Sequence, residues 1–240
     1  MLDRTNKDGT DLDTEHYIYG YDKIDPRIIF EVEGDLKWGA EYLWVKKYPG
    51  SILDDSNLIF NHRIKLPEFD NKFVGAAVVP NSPIVTAVTY CMDNDDRRIL
   101  LTAYNMETEE RLELKIGETE WGSSFQYSLI CGNEQKKCIG YVWNRFFQDD
   151  PENETPIFTF LVDFDKIDFQ ILRPLTLKEF LNNTDIPEVQ GAKNLSKLQS
   201  FSGGIAFELR EKRDSGSTFY YGKIIFDSGI ASKITKFLNT

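Results

Sequence analysis

Histidine is almost missing from this sequence: His16 and His62 are the only two in 240 residues. Neither sits in an HxxxH or HExxH pattern, and the three cysteines, Cys91, Cys131 and Cys138, show no CxxC spacing. Zinc centres are built from these residue types at short spacings, so no metal site is expected. No GxSxG occurs, and the serines of "WGSSFQ" (121–126) have glycine on one side only, as in a turn entering a strand. The glycine-containing stretches "GETEWGSS" (117–124) and "SFSGGIAF" (200–207) lack the lysine and spacing of a phosphate loop. Serine-nucleophile hydrolysis and nucleotide hydrolysis are therefore unsupported. No catalytic residue is assigned, and no cofactor is expected.

Positive charge is also scarce. Asp and Glu outnumber Lys and Arg by 39 to 28, for a net charge of -11. Neutralising phosphates requires clustered cations, so a nucleic-acid surface is not expected, and a partner with a basic surface is. Long hydrophobic runs are lacking too. The longest, "FVGAAVVPNSPIVTAVTYC" (73–91), is broken by Pro80, Asn81, Ser82 and Pro83, and each half is too short to span a bilayer. No membrane association is expected. Residues 1–16 have neither a cationic flank nor an apolar core, so they read as a flexible acidic arm rather than a secretory signal. An odd set of cysteines without a framework pattern reads as free thiols in a reducing compartment, which implies an intracellular, cytoplasmic protein. The sequons at Asn153, Asn182 and Asn194 point the other way, and such triplets also arise by chance.

What the chain does have is aromatic and β-branched residues. Aromatics make up 13% and hydrophobic residues 41%, a balance that favours strands. The halves of 73–91 read as a strand pair around a Pro-Asn-Ser-Pro turn, apolar on both faces and so covered on both sides. Similar pairs flank polar turns at 98–116, 157–172 and 205–226, with further strands at 28–33, 41–47 and 58–66 and another pair at 123–130 and 138–146. Polar turns near Asp54, Glu107, Asp165 and Asp214 recur about every 50 residues, close to the period of large propeller blades. The expected fold is mainly β, with antiparallel hairpins in a propeller-like arrangement. The alternative is a β-sandwich or open barrel. Residues 17–240 form one large β domain, with a candidate subdomain boundary near residue 190. Short helices are expected in the C-terminal third: at 176–183, where Thr176 caps and Glu179 completes a capping box, and at 195–200 and 232–238.

Candidate binding residues fall in two groups. Acidic turns carry Asp93, Asp95 and Asp96 in "DNDDRR" and Asp149, Asp150 and Glu152 in "QDDPENE". Hairpin turns select Asp, Asn and Pro for backbone reasons, so these read as solvated loops before they read as calcium ligands. In "YIYGY" (17–21), strand alternation would set Tyr17, Tyr19 and Tyr21 in a row that could stack a sugar or receive a peptide. Trp38, next to Gly39, is the tryptophan expected to be partly exposed. The function expected is a non-enzymatic protein–protein interaction module presenting acidic loops on a β scaffold. The alternatives are a carbohydrate-binding or glycoside-active protein using paired carboxylates and an aromatic platform, and an acidic inhibitor or immunity-type protein.

Overall fold

A computed structural model describes residues 15–22, 25–35, 39–50, 55–67, 71–91, 98–118, 125–131, 137–144, 156–163, 167–176, 194–201, 204–213, 216–226 and 232–237. The described chain is mainly β and antiparallel. Its strands fall into meanders in which most strands pair with a neighbour in sequence. The first meander holds β1 (Glu15–Tyr21), β2 (Ile28–Asp35), β3 (Gly39–Lys47), a 3-10 turn at Asp55–Asn57, and β4 (Phe60–Lys65). The second holds β5 (Asn71–Val78), β6 (Ile84–Cys91), β7 (Arg98–Asn105) and β8 (Arg111–Glu118). A single parallel pair, Gly39 with Asn71, joins these two into an eight-stranded sheet.

The third meander is a five-stranded sheet of β9 (Phe125–Cys131), β10 (Lys137–Asn144), β11 (Pro156–Asp163), β12 (Phe169–Ile171) and β13 (Leu175–Thr176). The fourth runs β14 (Asn194–Phe201), β15 (Gly204–Arg213), β16 (Gly216–Phe226) and β17 (Ser232–Phe237). Among the described residues no sheet closes on itself, and no helix is long and apolar enough to cross a membrane.

The core explains why 73–91 lacks a polar face. All eight residues of β6 are buried. Alternate side chains of β6 point to opposite faces of its sheet. Val85 and Ala87 pack with Phe30, Val32, Leu43, Val45 and Ile64 of the first meander. Val88 and Tyr90 pack with Leu129, Val142, Phe158 and Phe160 of the third. β6 is thus covered on both faces, and Ile84, Val85 and Val88 are at most 1% exposed. Between the second and third meanders, the Tyr127 hydroxyl meets Thr86 Oγ1 at 2.7 Å. Burial raises the Tyr127 phenol well above its ordinary pKa, so it stays neutral. A glycine admits an aromatic ring at this contact, where a Cβ on Gly117 would lie 2.1 Å from Phe158 Cε1; within the third meander, Gly140 does the same for its cross-strand partner Phe160, whose Cζ would lie 2.1 Å from an added Cβ.

Several sequence expectations are corrected. Residues 195–200 and 232–237 are strands, not helices. Leu195 and Leu198, like Ile234 and Phe237, sit three apart as on a helix face. Yet β14 pairs with β15 through a bulge between Leu195 and Lys197, and β17 pairs with β16. Thr176 ends β13, and the rest of the helix expected at 176–183 lies outside the described residues. β1 opens at Glu15, inside the segment read as an arm. The expectation of three free thiols also fails. Cys131 and Cys138 are directly opposed across β9 and β10 and form a disulfide, with Cα atoms 4.2 Å apart, leaving the buried Cys91 outside the bridge. Their spacing matched no motif because the hairpin register, rather than the interval, brings them together.

Candidate functional site

At one end of the first two meanders, a cleft of about 600 Å3 opens between the turns. Its walls come from the β1–β2 connection (Asp22, Asp25, Arg27), the end of β3 (Lys47), β4 (Phe60, His62), the β5–β6 turn (79–83) and the β7–β8 turn (Met106, Glu107). These turns are cross-linked. Asp22, 3% exposed, accepts the Asp25 amide on Oδ1 at 2.9 Å and the Val78 amide on Oδ2 at 3.0 Å, tying the first meander to the second. The Met106 amide donates to the Pro83 carbonyl at 2.9 Å, tying the two turns of the second meander. Asn81 takes a left-handed conformation, φ 55°, which asparagine tolerates better than most residues. Asn105 Oδ1 accepts the amides of Glu107 and Thr108 at 2.9 and 3.2 Å, and Glu109 follows at φ 59°. The walls are therefore fixed by hydrogen bonds rather than by packing alone.

A charge cluster lines one wall. Asp25 receives Arg27 Nε on Oδ1 and Arg27 Nη2 on Oδ2, both at 2.8 Å, and Lys47 Nζ lies 2.9 Å from Oδ2. The Arg27 guanidinium, more than opposing desolvation or the Lys47 ammonium, holds the Asp25 carboxyl well below the usual carboxylate range. Asp25 raises the Arg27 guanidinium in return. One carboxylate thus serves two cations, and with Asp22 and Glu107 on the same walls the cleft carries no excess of positive charge. His62 stands between the rings of Phe60 and Tyr104, with centroids 5.6 and 6.3 Å away. Desolvation lowers its pKa against the opposing pull of Glu109, so the imidazole is neutral at neutral pH.

The opposite face of the first meander carries a second cluster. Arg63 donates from Nε and Nη2 to the two oxygens of Glu33, at 3.1 and 2.5 Å, and Trp44 Nε1 donates to Oε2 at 2.7 Å. The guanidinium lies 3.6 Å from the Tyr42 ring centroid. These groups satisfy one another, which is what an exposed sheet face needs in order to stay ordered. Nearby, Lys46 and Glu31 pair at 2.8 Å with little exposure.

Of the expected binding residues that the structure describes, Tyr17, Tyr19 and Tyr21, none lines the cleft. Trp38, Asp93, Asp95, Asp96, Asp149, Asp150 and Glu152 lie outside the described residues. Tyr17, Tyr19 and Tyr21 fall on β1, but the strand bulges between Ile18 and Gly20, which breaks the alternation a row requires. The Tyr19 hydroxyl donates to the Val74 carbonyl at 2.5 Å, and its ring packs edge-on against Phe73. Tyr21 is 66% exposed. Sequence reasoning missed Asp22, Asp25, Arg27, Lys47 and Met106. The Asp25-Pro26-Arg27 turn was legible as a turn, but Lys47 and Val78 reach it only through the fold. Among the described residues no group of His, Cys, Asp and Glu is disposed to hold a metal ion. Neither a protein-family model nor the sequence of a curated protein matches this chain.

Proposed function

We propose that this protein is a scaffold for protein–protein association, its meanders serving as successive blades of a propeller-like stack and its acidic connections forming the contact surface for a basic partner. The observation that carries this reading is the complete burial of β6. A meander covered on both faces leaves only its connections and outer edges for a partner. The strand ends bordering the two acidic connections also lie together: Tyr90, near the end of β6, touches Phe125, and Phe125 pairs with Asn144 at the end of β10. Tyr90 and Asn144, beside the strand ends that border these connections, therefore lie at the end of their strands away from the cleft. Like charge carried on these connections would steer a basic partner. An inhibitor or immunity-type role would use the same charge on a different target.

The sugar-binding reading is not carried forward, because the Tyr19 hydroxyl is spent on Val74. As to compartment, the cytoplasmic expectation rested on free thiols; a persistent Cys131–Cys138 bridge fits an oxidising one. The functional test is charge reversal of all six acids. We expect a slower on-rate and a flatter salt dependence, with the melting temperature nearly unchanged because exposed charges contribute little to folding. A partner that associates equally fast at low and high salt and tolerates all six reversals would refute the reading.

A further inference from the structure

We infer that Thr89 and Thr102 together hold a buried water molecule where the second meander packs on the first. The site is independent of the association proposed above. Thr89 lies on β6 and Thr102 on β7, and each is 1% exposed. Thr102 pairs with Ala87, and Thr89 pairs with Leu100, so the two threonines are diagonal neighbours on one face of this strand pair. Strand alternation sets which face it is. Val85 and Ala87 on that face pack with the first meander. Among the described residues, neither threonine Oγ1 has a hydrogen-bond partner.

Burying a hydroxyl without a partner is costly, and buried polar groups pair with protein or with ordered water. Thr86, on the same strand, shows the paired case: its Oγ1 donates to the Ala77 carbonyl at 3.1 Å and meets the Tyr127 hydroxyl at 2.7 Å. Thr89 and Thr102 have no such neighbour. Diagonal positions on adjacent strands set Cβ atoms a little under about 7–8 Å apart, and one water with two hydrogen bonds of about 2.8 Å spans what remains between hydroxyl oxygens turned toward each other. Each hydroxyl can donate or accept, so the pair supplies the two partners that a buried water requires. Ser128 Oγ is also buried without a partner, but it lies on β9 in a different sheet and so has no part in this site.

Thr89→Val and Thr102→Val, made singly and together and followed by urea titration, test the bridge, because valine keeps the branched shape of threonine and removes the hydroxyl. With a shared water, each single variant breaks one of its bonds and should lower the folding equilibrium constant about three- to tenfold. The double variant releases the water altogether, so its loss should be clearly smaller than the product of the two. A dry pair gives the opposite sign: valine would remove an unsatisfied hydroxyl and leave the constant unchanged or raised. That result, or losses that simply multiply, would overturn the proposal. A crystal structure reads the site directly, with one water expected within about 3.2 Å of both hydroxyls and gone from the double variant. Any other occupant of that position, or none, would overturn the proposal as well.

Discussion

Gly117 offers a sharp test of how the second and third meanders fit together. Gly117→Ala would place a methyl 2.1 Å from Phe158 Cε1, 2.3 Å from Cδ1 and 2.8 Å from Cζ. Carbon atoms in contact sit about 3.5–4.0 Å apart, so ring or strand must move by about 1.5 Å. Phe158 is 3% exposed and lies within the main core, where forced displacement costs about 1–3 kcal/mol. For a chain of this size, that lowers Tm by about 2–10 °C. The cause can be isolated with a double-mutant cycle. Phe158→Ala alone should cost about 3–5 kcal/mol. In that background the added methyl meets no ring, and the loss of glycine's freedom in the unfolded chain makes it neutral or stabilising by up to about 1 kcal/mol. Urea titrations of the four proteins would give the coupling. Equal cost of Gly117→Ala in both backgrounds, or no cost in the first, would show that β8 and β11 do not meet as described.

Three further outcomes are expected. Asp22→Ala leaves the Val78 amide buried without its acceptor and should lower unfolding free energy by about 2–4 kcal/mol in urea titration, with Asp22→Asn losing less. Because the folded pKa of His62 lies below its unfolded value of 6.5, the unfolded chain binds more protons. Stability should therefore fall as pH drops below about 7 until the folded pKa is passed, and His62→Gln should flatten that slope. Mass spectrometry after alkylation without reductant should find only Cys91 modified once the protein is unfolded, whereas three modified cysteines would restore the reducing-compartment expectation.

Strand order was largely readable from the sequence. Polar turns between β-branched runs located β5 with β6, β7 with β8, β9 with β10, and β15 with β16, since hairpin contacts are local and turn chemistry is explicit. The double-sided burial of β6 was readable for a related reason: no polar residue of "IVTAVTYC" larger than threonine could face water. Segments 195–200 and 232–237 were misread because a polar, short strand carries too few apolar positions to separate a period of two from one of 3.6.

The sequence by itself determined most of the strands and the hairpin partners on either side of polar turns, though not β14 and β17, because backbone propensity and hairpin geometry act over a few residues. It also determined that the surface is acidic. Only the tertiary structure decided what lies opposite what. Asp22 reaches Val78 across 56 residues, Lys47 joins Asp25, and Phe158 fills the space that Gly117 leaves open. The bulge that turns Tyr19 toward Val74 belongs to the same class. Each of these contacts depends on the register and stacking of whole meanders, a property of the assembled faces that no short stretch of chain encodes.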